Sequence, residues 1–137
     1  MTDAPQKPLP VITESTAPFW EGTRRSEFLL QRCLSCDEPR FPPKPVCSHC
    51  WSTEHRWVPA AGTGSVYSYT VVHRAGMPAF REDVPYVIAV IDLDEGVRVM
   101  SNLVGCDPED VSVGMAVRVL FEEASEEMTL YRFEPAG

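Results

Sequence analysis

The sequence predicts a mainly β fold: a short N-terminal helix, a small metal-organised ribbon, then a five-stranded barrel of the OB type. Three observations carry this. Four of the five cysteines fall into two C-x-x-C pairs, Cys33-Leu-Ser-Cys36 and Cys47-Ser-His-Cys50, which is metal-ligand spacing. From Gly62 onward, short β-branched and aromatic runs are separated by turn residues, as strands are. The 13 prolines lie mostly in the N-terminal half, as expected of an extended, loop-rich beginning.

At 137 residues the chain has room for one domain, or for two very small ones that share a core. The expected division is a tail and helix over 1–26, a ribbon over 27–61 and a barrel over 62–137. Residues 1–17 hold several prolines and no apolar period, so a mobile or surface-clinging tail is expected. Pro18 can open a helix that runs to Arg25, although Gly22 weakens it and Arg24 and Arg25 lie close to its start. Glu27 to Arg32 reads as a strand leading into a metal knuckle. Barrel strands are expected at Gly64–Arg74, Tyr86–Asp94, Val97–Val104, Met115–Glu122 and Met128–Phe133. Asp94-Glu95-Gly96 makes a hairpin turn, and Asp107 to Asp110 a single helical turn. A meander of three strands, a small helix and two more strands are the ingredients of an OB-fold. Alternation places Val66, Ser68, Thr70 and Val72 on one face of the first barrel strand, and Met115, Val117, Val119 and Phe121 on one face of the fourth. The second strand, PYVIAVIDL, is apolar on both faces; it must be the most enclosed strand, or one face must lie under the N-terminal segment or a partner.

Charge excludes a function class. Residues 1–60 hold 7 Lys+Arg and 7 Asp+Glu, whereas residues 61–137 hold 5 Arg and 13 Asp+Glu, so the whole net charge of −8 sits in the second part. An acidic barrel without a single Lys is poorly suited to replacing the counterions around nucleic-acid phosphates. The opening residues MTDAPQKPLP are polar, and no apolar run approaches the ~18 residues needed to cross a bilayer. A cytoplasmic protein is expected, in which cysteines serve metal binding rather than disulfides.

The two C-x-x-C pairs stand ten residues apart. Each can wrap a knuckle that aims two thiolates at one ion, and Cys33, Cys36, Cys47 and Cys50 together complete a tetrahedron with no open position. A closed site of this kind supplies folding free energy rather than an activated water. Zinc is the expected ion, with iron of the rubredoxin type as the alternative. Such knuckles favour Gly after the second cysteine, where this chain has Asp37 and Trp51. His49 lies inside a knuckle and is read as solvated; Cys106 is read as a buried, inert thiol.

Catalytic motifs are missing: there is no G-x-S-x-G and no P-loop, and Gly62-Thr-Gly64 precedes a strand rather than a helix. His73 is the histidine best placed for function, at the start of a long loop, although a satisfied surface histidine is the more frequent case. That loop, Arg74 to Pro85, carries Met77 and Phe80 and is either a binding surface or a lid over the barrel end. Tyr67, Tyr69, Tyr131 and Phe133 offer a base-stacking platform or core packing; the scarcity of cations favours packing.

Taken together, PFWEGTRRSEFLLQRC, the two C-x-x-C pairs with FPPKPVC between them, Trp57, GTGSVYSYTVVHR, the PYVIAVIDLDEGVR strand pair and the closing SVGMAVRV resemble the DUF35 family over residues 18 to about 134. The resemblance implies a rubredoxin-like zinc ribbon ahead of an OB-fold, and association with acyl-CoA chemistry. It implies a non-catalytic accessory subunit that docks on a thiolase-like enzyme (thiolase or aldolase) or on a MaoC-type hydratase and helps to hold CoA. CoA phosphates would then meet Arg24, Arg25, Arg32, Arg40 or Lys44, because the barrel is acidic. His73, Arg74, Met77 and Phe80 complete the candidate contacts to CoA or partner. The alternatives are a stand-alone acyl-CoA-binding protein, a single-stranded nucleic-acid module and a small independent enzyme.

Overall fold

Pro18 near the first helical position supplies a pre-set φ and surrenders only an amide that a helix start leaves unpaired. In the computed structural model, which describes residues 7–136, it opens helix α1 (Ala17–Arg24). The expected tail therefore lies partly outside the described residues, over 1–6. Of the rest, Lys7 clings to the surface, paired with Asp83 at 2.6 Å and set over the Phe80 ring at 5.6 Å. Helix α1 ends where Ser26 takes a left-handed φ of 60° and the Glu27 amide bonds back to the Gly22 carbonyl. Gly22, a poor helix former, is there for packing: a Cβ would come within 2.7 Å of Leu29 Cδ1.

Strands β1 (Leu29–Cys33), β2 (Pro39–Arg40) and β3 (His55–Pro59) form an antiparallel sheet in the order β2-β1-β3. Strand β3 was not expected. Its five residues, HRWVP, open on two polar ones and end on a proline, too little alternation to signal a strand alone; pairing with β1, from Leu29↔Pro59 to Cys33↔His55, defines it. The barrel follows with β4 (Thr63–Val72), β5 (Tyr86–Leu93), β6 (Arg98–Leu103), β7 (Ala116–Glu123) and β8 (Thr129–Pro135), closed in the order β4-β5-β6-β8-β7. This is the expected meander, a 3-10 turn at Pro108–Asp110 and two returning strands.

The expected face of β4 is corrected by a bulge between Val66 and Ser68. An extra residue in one strand reverses its alternation beyond that point. Val66 points inward, but Tyr69 and Val71 then pair across from the buried Ala89 and Val87, while Ser68, Thr70 and Val72 turn outward. The expected face of β7 holds, with Val117 buried and Met115, Val119 and Phe121 packed on the core. Strand β5 alternates buried and half-buried positions, its inner face being Val87, Ala89, Ile91 and Leu93.

Helix, ribbon and barrel share this core. Phe19 from α1, Phe28 just before β1, Phe41 from the ribbon, and Tyr131 and Phe133 from β8 form one aromatic cluster, with Phe28 centred 5.2–5.3 Å from the Phe19, Phe41 and Tyr131 rings. Edge-to-face contacts dominate, as ring quadrupoles prefer. Burial pushes the Tyr131 hydroxyl pKa up to about 12. Packing, the favoured reading of these aromatics, is found for two of them: Phe133 is wholly buried and Tyr131 belongs to this cluster, while the Tyr67 ring is covered by Arg98 at 3.7 Å.

Gly64 fixes the approach of β4 to β5, because a Cβ there would collide with the Asp92 carbonyl oxygen. The obstacle is backbone, which cannot swing aside. Gly64→Ala is therefore expected to destabilise the chain by about 1–3 kcal/mol, the range for overpacking, read as a lowered urea midpoint at unchanged slope.

Candidate metal centre

Two knuckles bring the four cysteines together. In the first, the Asp37 amide donates to the Cys33 carbonyl at 3.0 Å and the Cys33 amide to the Glu38 carbonyl at 3.0 Å. The second repeats this, with Trp51 on Cys47 at 2.8 Å and Cys47 on Ser52 at 2.8 Å. Each turn needs a left-handed residue, and Asp37 and Trp51 supply it at φ of 64° and 68°. For Trp this backbone is costly, by roughly 1–2 kcal/mol relative to its right-handed form, yet the indole is 81% exposed. A hydroxyl bond between Ser35 and Ser52 at 2.9 Å ties the knuckles together.

The four Sγ atoms lie within 4.8 Å of one another, with Cys33–Cys50 at 3.5 Å and Cys36–Cys47 at 3.7 Å. Zn–S bonds of about 2.3 Å in tetrahedral geometry set sulfurs about 3.8 Å apart, so the cluster matches one tetrahedral ion. Cys33 and Cys47 are buried, and Cys36 and Cys50 reach the surface. The Cys33 thiol is held down to about 6, first by the Cys36 amide; the Cys50 amide leads in lowering Cys47. Cys36 rises to about 12: the Glu38 amide draws it down, but desolvation and the three neighbouring sulfurs outweigh that. Four close sulfurs cannot all shed their protons without a cation, and a divalent ion displaces them. All four positions being sulfur, the site stabilises structure and has no place for a reacting water.

A buried network supports the second knuckle. The Gln31 side-chain oxygen accepts from Arg40 Nε and from the Lys44 amide, both at 2.8 Å, pinning the stretch that leads to Cys47. No sequence pattern announces it, because Gln31 sits in an apolar run and its partners come from another strand and a loop.

The other expected contacts are spread over three places. Arg24 and Arg25 lie exposed with Glu21 at a shallow depression on α1, and Arg25 pairs with Glu27 at 3.7 Å. On the ribbon, Arg32 pairs with Asp37 at 3.3 Å and Lys44 is exposed. Arg40 is corrected as a CoA contact: it is 8% exposed and committed to Gln31 and to the Lys44 carbonyl, so no phosphate reaches it. In the barrel loop His73, Arg74 and Met77 are exposed, and Phe80 is half-buried under Lys7. His49 is exposed, as expected. Cys106 is half-buried, its pKa raised by burial and then by Asp110 and Asp107.

One surface was foreshadowed only by the apolar character of β5. Its outer face, with Ile88, meets Met100 and Val104 in an open groove of about 600 Å³, lined also by Lys7 and Phe80. A polar string lies along it: Arg132 donates to Glu122 at 3.1 Å and to Asn102 at 2.7 Å. The N-terminal segment thus covers part of this face, and Met100 remains 66% exposed.

Residues 20–56 match the family described as ChsH2, rubredoxin-like zinc ribbon domain, and residues 57–122 match ChsH2, C-terminal OB-fold domain. The chain is 43% identical over 130 residues to a probable enoyl-CoA hydratase alpha subunit of Thermomonospora curvata, covering 95% of this chain and 40% of that one. It thus spans about two fifths of that relative's length. A DUF35 domain-containing scaffold protein of Methanocaldococcus jannaschii is 41% identical over 97 residues, 70% of this chain and 68% of the relative. Among solved structures, a chain of an Ltp2-ChsH2(DUF35) aldolase superposes with a TM-score of 0.85 at 43% identity, covering 94% of this chain and 100% of that one. With both halves of its architecture matched in chain order, the protein belongs to the DUF35 family, as a zinc ribbon joined to an OB-fold.

Proposed function

We propose that this chain is a non-catalytic accessory subunit of an acyl-CoA-processing complex, docking on a thiolase-like enzyme (thiolase or aldolase) or on a MaoC-type hydratase. The observation that carries the reading is the likeness, at 43% identity over nearly the whole chain, to a DUF35 chain solved as part of an aldolase. The chemistry of the site agrees: the one cluster of metal-ligating side chains found among the described residues is closed by four thiolates. Docking surface is available as Leu34 at 57% exposure and Trp51 at the ribbon knuckles, and as Met100 on the barrel groove. Large exposed apolar side chains of this kind are what interfaces cover.

The ribbon, residues 27–61, holds one zinc ion and presents the knuckles; the barrel, from residue 62, presents the groove and the 74–85 loop. Where CoA is touched directly, Arg24, Arg25, Arg32 and Lys44 are the cations for its phosphates, with His73, Arg74, Met77 and Phe80 as the loop contacts. No helix among the described residues is long and apolar enough to cross a membrane, and a centre of reduced thiols suits the cytoplasm.

Gentle affinity purification of the tagged chain from its host, with mass spectrometry of the eluate, tests this. A thiolase, aldolase or hydratase is expected in stoichiometric amount. A chain that elutes alone, and binds acyl-CoA in a direct titration, overturns the accessory role in favour of autonomous binding.

A further inference from the structure

Arg40 is a buried cation without a counter-charge. It is 8% exposed, and among the described residues no carboxylate lies within ion-pair distance of it. Its Nε and Nη2 donate to the neutral oxygens of Gln31 and Lys44, and its Nη1 is buried with no acceptor. Proteins rarely bury an arginine this way, because desolvating a charge costs several kcal/mol unless an opposite charge offsets it.

The ribbon sheet shows where the offset lies. Gln31 pairs with Arg40 across β1–β2, and Cys33 pairs with His55 across β1–β3. Cross-strand partners share a face and residues two apart along a strand share it again, so Arg40, Gln31, Cys33 and His55 stand on one face. The Gln31 oxygen accepts from a guanidinium N–H of Arg40 and the backbone N–H of Lys44, which fixes its NH₂ toward His55 Nε2 at 3.2 Å. His55 must accept there, so in its neutral form the proton sits on Nδ1. That Nδ1 is also buried with no partner. Two orphaned buried donors, one carrying a full charge, thus flank the strand that supplies Cys33.

Cys33, two residues along β1 from Gln31, brings the metal centre to this same face. Four thiolates around a divalent ion carry a net charge of about −2. We propose that Arg40 is a positioning residue of the zinc centre, whose buried charge offsets the excess negative charge of the loaded tetrathiolate. Neither arginine nor glutamine ligates the ion. This rests on the four cysteines holding zinc, which the parent chain tests by itself: failure to bind zinc removes the centre, whereas the variants below address only Arg40.

Zinc affinity of the full chain, measured by competition with a chromogenic chelator, separates charge from shape. Arg40→Gln, neutral and still a hydrogen-bonding group, is expected to bind zinc about 10- to 100-fold more weakly, the range for outer-shell partners of a metal site. Arg40→Lys keeps the charge and is expected to stay within about threefold of the parent, because the Gln31 oxygen keeps its bond from the Lys44 amide at 2.8 Å. Arg56→Gln, an exposed cation on the opposite face of the same sheet, serves as the control and is expected to leave affinity unchanged. Cobalt substitution monitors the site, a tetrahedral sulfur spectrum in each variant showing that the knuckles still close. The proposal is overturned if Arg40→Gln binds as tightly as the parent, or if Arg40→Lys loses as much affinity as Arg40→Gln. Should the neutral variant not fold, Arg40→Lys decides alone, retention supporting the role of charge and a tenfold loss refuting it.

Discussion

Cys47→Ser is expected to purify without its metal and with its ribbon unfolded, while the barrel stays closed. Between residues 33 and 54 only Cys33, Arg40 and Cys47 are buried, so this stretch has no apolar core of its own. Strand β2 contributes two residue pairs to the sheet, far too few to hold a hairpin alone. The metal replaces that core, and for isolated zinc-binding peptides it is worth roughly 10–16 kcal/mol at neutral pH. The barrel keeps its own closed ladder, β4-β5-β6-β8-β7. Hydrogen exchange reads the outcome by segment: protection should vanish over residues 33–54 and persist in β5 and β6. Zinc content should fall from about one ion per chain to a small fraction, since a hydroxyl cannot replace a thiolate ligand. Full protection over residues 33–54 in a variant that holds no metal would show that the knuckles fold without the ion.

Phe28→Ala is the second large effect, because it removes the piece shared by all three parts of the molecule. Phe28 is 2% exposed and lies against Phe19, Phe41, Tyr131 and Phe133. Its carbonyl also accepts from the Ala60 amide at 2.8 Å, at the passage from ribbon to barrel. Truncating a buried Phe costs about 3–5 kcal/mol through lost transfer energy and the cavity left behind. That is about a fifth or more of the stability of an ordinary domain. Equilibrium urea unfolding should record it as a lowered midpoint, and zinc should still bind because no ligand is touched. A loss below about 1 kcal/mol would mean that ribbon and barrel do not depend on this cluster.

The metal site was legible because ligand chemistry is written in local spacing. C-x-x-C wraps a knuckle whatever surrounds it, and the left-handed turns forecast at Asp37 and Trp51 are found at those positions. Barrel strands were legible within a residue or two, because alternation and turn residues act over a few positions. The β4 bulge was not: nothing in GSVYSYTVV distinguishes a regular strand from one with an extra residue at Tyr67, and only pairing with β5 reveals it. Strand β3 escaped for the same reason. Arg40 was misjudged because an arginine in sequence looks like a solvated cation, and its burial depends on Gln31 from the neighbouring strand and on the loop through Lys44.

By itself, then, the sequence determined the order of helix, ribbon and barrel, the four ligands of one metal ion, and the unsuitability of an acidic barrel for nucleic acid, each of which follows from local spacing or composition. Tertiary structure alone decided which faces are free. It welded helix and ribbon to the barrel through Phe28, withdrew Arg40 from solvent, and laid the outer face of β5 open as a groove beside Met100. The physical reason is that exposure and pairing are properties of contacts between distant segments, and these exist only after the chain has closed on itself.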